Sequence, residues 1–254
     1  EEKVAESWEV SCHPDGMSVI QNGKFQGRTL QSLIDQFGAQ ITGNHADSSF
    51  PLLVKLIDAN DRLSVQVHPN DEYARIHEGE AGKNKMWYIL DAKPGARLIF
   101  DVKPGVNRGC FQRAVQEDRV EECLQSIPVR AGSFINIPAG VVHAIGEGII
   151  LAEIQQNSNS TYRIYDYHRV DAMGNPRPLH LDKAMDVIRF DSEKRRKQYG
   201  GLKYIISHHF TATVLVANPY FCVELLQVTG TAALDTQKRQ FHIHVCIDGN
   251  GTVT

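Results

Sequence analysis

The stretch Gly132-Ser-Phe-Ile-Asn-Ile-Pro138-Ala-Gly140-Val-Val-His143 is the most informative part of the sequence, because it places a histidine directly after a predicted strand and a tight turn. Residues 133–137 have the β-branched and aromatic character of a strand, and Pro138-Ala-Gly140 has the composition of a turn. A chain that reverses at this turn carries His143 into the interior of a β-barrel. A neutral imidazole nitrogen in that place can bind a divalent metal ion.

The spacing of this stretch, G-x5-P-x-G-x2-H, is similar to the second signature of the cupin superfamily. The resemblance implies a cupin-type jelly roll, also called a double-stranded β-helix. Strand-like runs separated by Gly and Pro turns agree with a mainly β fold, and they lie at residues 63–68, 86–90, 97–101, 133–137, 142–145, 149–155 and 161–167. The pattern favours a sandwich or barrel over a parallel α/β sheet.

Three segments have apolar residues at helical spacing, namely residues 30–37, 112–125 and 181–188. The charged stretch Asp191-Ser-Glu-Lys-Arg-Arg-Lys-Gln-Tyr199 then predicts a linker, and strand patterns return at residues 212–217, 220–228 and 241–247. We therefore expect a catalytic cupin domain with helical insertions over residues 1–190. A linker and a second, incomplete β domain of cupin-like character are expected over residues 191–254.

Composition and charge limit the classes of partner. The 254 residues include 27 Lys and Arg against 30 Asp and Glu, for a formal net charge of −3, so no nucleic-acid partner is expected. No apolar run approaches the roughly 20 residues of a membrane-spanning helix.

Five well-separated cysteines without a C-x-x-C pair are typical of free thiols in a reducing compartment, and we expect a cytoplasmic protein. Because the chain ends at Val253-Thr254 in what looks like a strand, we also expect it to be a fragment of a longer protein.

A second strand carries polar side chains along one face. In residues 63–68 the alternation puts Ser64, Gln66 and His68 on the same side. Burying such a face costs free energy unless a ligand satisfies the polar groups, which a metal ion and a charged ligand would do. Exposure of the face to solvent is the alternative. Together with His143, the pattern predicts a metal site.

Charged residues also interrupt apolar strands. Glu153 and Arg163 each lie within a strand pattern, and Lys55 lies within Pro51-Leu-Leu-Val-Lys-Leu-Ile-Asp58. Charges in such places are usually paired or functional, so a structural salt bridge is the alternative to a site. Lys55, Lys83 and Arg163 together would suit a small anion.

Several segments, in order along the chain, resemble the type I phosphomannose isomerases, and most closely their short bacterial form. They are Glu-Ser-Trp-Glu-Val-Ser (6–11), Ser-Val-Gln-Val-His-Pro (64–69), Gly-Lys-Asn-Lys-Met-Trp-Tyr-Ile-Leu (82–90), Pro-Ala-Gly-Val-Val-His-Ala (138–144), Glu-Ile-Gln-Gln-Asn-Ser (153–158) and Thr-Tyr-Arg-Ile-Tyr-Asp-Tyr (161–167). The resemblance implies a zinc-dependent cupin isomerase that interconverts mannose 6-phosphate and fructose 6-phosphate through an enediol, with one divalent ion per chain.

The resemblance also implies roles for individual residues. The metal would be held by Gln66, His68 and His143. The substrate would be bound by Ser64, Lys55 and Lys83. The catalytic residues would be Arg163, Glu153 and Lys83, with Glu153 handling the proton. Such a protein takes a small-molecule sugar phosphate as its partner, binds neither nucleic acid nor membrane, and is expected to be a monomer or weak homodimer.

One position departs from the pattern of that family. Where the family usually has Gly-Lys-Thr-Glu, with the Glu binding zinc, this chain has Gly82-Lys-Asn-Lys85. A protonated lysine has no acceptor for a metal and repels it.

Three alternatives follow from Lys85. In the first, Glu72, four residues after His68, supplies the missing carboxylate. In the second, the metal is held by Gln66, His68, His143 and water. In the third, zinc is absent and the chain is a degenerate, non-catalytic sugar-phosphate-binding cupin. An iron-dependent cupin oxygenase is disfavoured because Gln66-x-His68 stands where such enzymes have His-x-His. The pair His242-x-His244 is interpreted as strand alternation.

Overall fold

The structure, a computed structural model, describes residues 5–45, 49–191 and 202–253. Its strands are β1 (Glu6–Val10), β2 (Cys12–His13), β3 (Gly16–Met17), β4 (Leu52–Ala59), β5 (Val65–Val67), β6 (Lys85–Ala92), β7 (Arg97–Val102), β8 (Leu124–Pro128), β9 (Phe134–Ile137), β10 (His143–Ile145), β11 (Ile149–Gln156), β12 (Tyr162–Tyr165), β13 (Leu202–Ser207), β14 (Phe210–Ala217) and β15 (Cys222–Val228). Its helices are α1 (Leu30–Phe37), α2 (Ala39–Thr42), α3 (Asp71–His77), α4 (Arg108–Gln116) and α5 (Leu181–Val187), with short 3-10 turns at Gly23–Phe25, Gly43–His45 and Val120–Cys123.

Two five-stranded antiparallel sheets form the barrel. Their strand orders are β1-β4-β11-β6-β9 and β12-β5-β10-β7-β8. Apolar side chains from both sheets, among them Trp87, Leu151, Leu98 and Ile145, form one buried cluster between them. Facing sheets with a shared core confirm the mainly β, jelly-roll prediction.

The outer face of the second sheet is covered by helices. Val65 and Val67 on β5 pack in one buried cluster with Phe111 of α4 and Met185 of α5. Because side chains alternate along a strand, Gln66 and His68 lie on the opposite face, toward the other sheet. The burial of Val65 and Val67 therefore fixes which residues face the interior.

The helix predicted over residues 112–125 was wrong in its extent. Helix α4 ends at Gln116, and β8 begins at Leu124. Asp118 has φ 55°, and this left-handed backbone is incompatible with continuing the helix. The helix begins earlier than predicted because the Asn107 side chain accepts a hydrogen bond from the backbone N–H of Cys110, which is an N-cap.

The C-terminal residues add a smaller sheet, β13-β14-β15. Val216 and Phe221 of this part pack with Met86 on the outer face of the first sheet. The strand predicted at residues 241–247 was wrong, since this segment has neither helix nor strand. Phe241 and Ile243 instead pack against the cluster of Cys12, Ile34 and Phe50, so the alternation reflects one-sided burial without strand pairing.

The division into domains at residue 190 stays a prediction, and most of the predicted linker, residues 192–199, lies outside the described residues. Within residues 5–45, 49–191 and 202–253, no helix has both the length and the apolar character needed to cross a membrane.

Candidate active site

Two histidines meet inside the barrel. His143 begins β10, directly opposite Gln66 of β5, and His68 follows the end of β5. The turn before His143 is tied to His68, because the Gly140 N–H donates to the His68 carbonyl over 2.9 Å, and Gly140 has φ 83°. A side chain at that φ would be strained, which explains the glycine. The two imidazole centroids are 4.8 Å apart, and the exposed fractions of His68 and His143 are 1% and 0%.

Each ring is held by one nitrogen and leaves the other without a partner. His68 Nδ1 lies 3.0 Å from the Ser160 carbonyl, and His143 Nδ1 lies 2.9 Å from the Val141 carbonyl. A carbonyl only accepts, so both Nδ1 atoms carry the proton and both Nε2 atoms present a lone pair. The Nε2 atoms are buried and have no hydrogen-bond partner. Orphaned acceptors of this kind are rare and indicate a missing ligand.

Both rings are neutral at physiological pH. Burial, aided by the positive charges of Lys85 and Lys83, lowers the pKa of His68 well below 6.5. Burial, again aided by Lys85, lowers the pKa of His143 to about 3. Neutral imidazoles are the form that binds a metal ion.

Gln66 and Arg163 continue the row of interior positions. Arg163 on β12 pairs with Gln66, which in turn pairs with His143, so the three residues share one face of the sheet. The Arg163 Nη1 donates to the Pro178 carbonyl over 2.7 Å, while its buried Nε has no hydrogen-bond partner. Burial and the nearby Arg177 charge lower the pKa of Arg163. The structure therefore brings Gln66, Arg163 and His143 to one face of the sheet.

Glu153 is buried opposite this row and is bonded to two donors. Its Oε2 accepts from Lys85 Nζ at 2.8 Å and from the Trp87 indole N–H at 2.7 Å. Burial opposes ionisation of Glu153, but Lys85, Lys55 and Lys83 outweigh it and lower its pKa to about 2. Burial lowers the pKa of Lys85, and Glu153 partly offsets this effect. The pair is an ion pair inside the barrel.

The predicted anion-binding residues are buried as well. Lys55 pairs with Glu153 in the register of β4 and β11, and its Nζ lies 3.1 Å from Glu6 Oε1 and 4.5 Å from the centre of the Trp8 ring. Lys83 Nζ contacts Thr161 Oγ1 at 3.4 Å, and burial together with the Lys85 charge lowers its pKa well below 10.5. Ser64 is buried just before β5, on the face of Gln66 and His68. Three buried lysines against Glu153 make the barrel interior a place for an anion.

Glu72 does not supply the missing carboxylate. It lies in the first turn of α3 and is exposed to solvent. Among the described residues, no group of three or more His, Cys, Asp and Glu side chains is placed to hold a metal ion. The metal donors present are therefore the two Nε2 atoms and amide oxygens, with the cationic Lys85 in the same interior.

Sequence reasoning missed Gln155. Its Nε2 donates to the carbonyls of Gln156 and Ser158, and its fully buried Oε1 has no hydrogen-bond partner. The residue lies opposite Lys85 in the register of β11 and β6. Its spacing of two from Glu153 puts both on one face and is the signal that would have found it.

Comparisons with known proteins agree with this arrangement. The model of the phosphomannose isomerase type I catalytic domain matches residues 1–94. Mannose-6-phosphate isomerase ManA of Bacillus subtilis strain 168 is 39% identical over 253 residues, which is 98% of this chain and 78% of that protein.

Solved structures share the fold. The crystal structure of the mannose 6-phosphate isomerase from Bacillus subtilis superposes with a TM-score of 0.80 at 33% identity, over 89% of this chain and 71% of that chain. A zinc-bound mannose 6-phosphate isomerase, 14% identical, superposes with a TM-score of 0.56 over 83% of this chain and 75% of that chain, which shows a common fold alone. The cupin prediction is thus confirmed.

Proposed function

The chain belongs to the type I mannose-6-phosphate isomerase family, and from that premise we propose that it interconverts mannose 6-phosphate and fructose 6-phosphate through an enediol in the barrel. The observation that carries the proposal is the convergence of two buried, unpartnered Nε2 atoms, from His68 and His143, in an interior lined by Lys55, Lys83 and Lys85. Such an interior suits a divalent ion beside a substrate that bears a phosphate.

We propose zinc, one ion per chain, as the cofactor. His68 and His143 fit it through their bare Nε2 atoms, and Gln66, opposite His143, would add its amide oxygen. Water would complete the site, because Glu72 is exposed. When bound, the ion supplies a Lewis acid that polarises the sugar carbonyl. Lys85 opposes it by charge, so we expect weaker binding than a carboxylate ligand in its place would give.

Arg163 is proposed to stabilise the oxyanion that develops as the enediol forms. Isomerisation is slow without a catalyst because a carbon next to a carbonyl is a weak acid, and a fixed cation lowers that barrier. Arg163 lies in the same row as Gln66 and His143, and its buried Nε has no hydrogen-bond partner. A guanidinium with an unsatisfied N–H on that face is therefore placed for the developing charge.

Glu153 is proposed to move the proton between the two sugar carbons. It is ionised throughout the neutral range, since its pKa is about 2, so its carboxylate can accept a proton at any physiological pH. The low pKa also makes it a weak base, and Lys85 and Trp87 hold the carboxylate in place. Lys55, Lys83 and Ser64 are proposed to hold the phosphate. Lys83, whose charge helps to lower the pKa of Glu153, is proposed to act in catalysis as well.

A coupled assay tests the isomerase. Purified protein should convert mannose 6-phosphate to fructose 6-phosphate, lose that activity on treatment with a chelator, and regain it with added zinc. The variant His68→Ala/His143→Ala is the matched control and should be inactive with or without zinc. Absence of turnover by the wild type at saturating zinc would overturn the proposal.

The second candidate is a sugar-phosphate-binding cupin without turnover, and the buried Lys85–Glu153 ion pair beside the histidines favours it. It predicts that calorimetry detects mannose 6-phosphate binding while the assay detects no product. Product formation above the level of the double histidine variant would exclude it.

A further inference from the structure

The orientation of His68 depends on a loop outside the barrel sheets. Residues 157–161 connect β11 to β12, and the Ser160 carbonyl in this loop is 3.0 Å from His68 Nδ1. In a free neutral histidine the proton prefers the other nitrogen, so this carbonyl must stay in place to keep Nε2 bare. By contrast, His143 Nδ1 bonds to Val141, two residues away on its own turn.

The Glu80 carboxylate bonds to the part of the loop that carries this carbonyl, and Asn159 Nδ2 in the same loop also donates to Asp15. Glu80, located between α3 and β6, accepts three hydrogen bonds on its Oε2: from Ser158 Oγ at 3.1 Å, from the Asn159 N–H at 3.2 Å and from Ser160 Oγ at 3.0 Å. Hydrogen bonds to a charged acceptor are stronger than neutral ones. Ser160, which is one of the three donors, also carries the carbonyl that contacts His68, and Asn159 directly precedes it.

We propose that Glu80 is a positioning residue, which fixes the loop 158–160 so that the Ser160 carbonyl keeps His68 in the Nδ1–H tautomer and leaves its Nε2 free for a ligand. The three hydrogen bonds of Glu80 go to the loop, and none of them goes to a proposed metal ligand or to a proposed substrate-binding residue. It acts through Ser160 on His68. The Ser160 carbonyl is the direct partner of the proposed ligand, and loss of such a partner typically lowers metal affinity about 10–100-fold, which sets the upper limit for the loss of Glu80. The inference rests on the proposed role of His68 as a metal ligand.

The test is the tautomer of His68 in metal-free protein, read from two-bond ¹⁵N–¹H spectra of ¹⁵N-histidine-labelled protein. In the wild type, His68 should show Nδ1 protonated and Nε2 bare. In Glu80→Ala, a substantial fraction should change to Nε2–H, while His143 keeps its wild-type signals and serves as the internal reference. Glu80→Gln keeps an acceptor oxygen and should restore the wild-type tautomer, which also protects the test from loss of folding in Glu80→Ala.

The second readout is zinc affinity by competition with a chelating dye. Glu80→Ala should weaken zinc binding by up to about 100-fold, and Ser160→Ala, which loses one of the three donors, should have a smaller effect. The exposed Glu147→Ala is the matched control and should bind as the wild type does. An unchanged His68 tautomer in Glu80→Ala overturns the inference. Absence of zinc binding by the wild type would instead count against the proposed cofactor, and the tautomer comparison would still decide the role of Glu80.

Discussion

The Nζ atom of Lys85 lies 2.8 Å from Oε2 of Glu153, and both side chains are almost fully buried, at 2% and 3% exposure. The pair occupies the interior that also holds the bare nitrogens of His68 and His143. Its positive member lowers the pKa of both histidines, which means that it also repels any cation bound to them. The charge at position 85 should therefore weaken the proposed binding of a metal ion to this histidine pair.

Replacing Lys85 should strengthen zinc binding. Lys85→Glu removes a like charge and adds a carboxylate of the type that zinc accepts, so we expect the zinc Kd to fall by about tenfold or more. Lys85→Met removes only the charge and should give a smaller gain. A chelator competition assay measures both. Equal zinc affinity in wild type and both variants would show that position 85 lies outside the electrostatic reach of the ion.

The pH dependence should respond to Lys85 through Glu153. The Glu153 pKa is about 2, below its ordinary value of 4.5, and Lys85 is the largest of the charges that lower it. Lys85→Met should raise that pKa, so the acidic limb of the kcat/KM profile should move to higher pH, because the base is then lost by protonation earlier as pH falls. Lys85→Arg keeps the charge and should retain the wild-type profile. A limb that stays in place in Lys85→Met would remove Glu153 as the proton carrier.

The two members of the pair should differ in their effect on stability. Glu153→Gln removes the carboxylate that bonds Lys85 and also balances the charges of Lys83 and Lys55, although Lys55 keeps its ion pair with Glu6. We expect a loss of about 3–5 kcal/mol in the free energy of unfolding. Lys85→Met leaves Glu153 with two lysines and the Trp87 N–H, so the loss should be smaller, about 1–3 kcal/mol. Urea denaturation at neutral pH measures both. Equal losses, or a larger loss for Lys85→Met, would show that Glu153 is not the main counter-charge of the buried lysines.

Arg163 should affect turnover more than binding. Arg163→Ala removes a cation proposed to act on the developing oxyanion, so kcat should fall about 10²–10³-fold, with a smaller change in KM. Arg130→Ala, at an exposed arginine between β8 and β9, is the matched control and should keep wild-type kinetics. Turnover within a few-fold of wild type in Arg163→Ala would show that another group stabilises the oxyanion.

Local sequence was sufficient to predict the residues of the histidine pair. His143 follows from the Pro138-Ala-Gly140 turn, and the shared face of Gln66 and His68 follows from strict alternation in β5. That this face points inward depends on the packing of Val65 and Val67 against α4 and α5, which the alternation alone left open. Both signals depend on residues within a few positions of the histidines. The convergence of the two rings needed the pairing of β5 with β10, which the family resemblance implied but the local pattern did not contain.

The Lys85–Glu153 bond could not be predicted in the same way. The two residues are 68 positions apart and meet only because β6 pairs with β11 in a specific register. The apolar strand pattern around Glu153 marked this charged residue as unusual but did not identify its partner. Gln155 was missed although it shares a face with Glu153, and the strand predicted at residues 241–247 failed because one-sided burial produces the same alternation as pairing.

Anomalous diffraction at the zinc absorption edge, from crystals grown with zinc, would locate the metal ion. We expect one strong peak per chain inside the barrel, about 2.0–2.1 Å from both His68 Nε2 and His143 Nε2. A barrel without a peak, or a peak that contacts neither histidine, would contradict it.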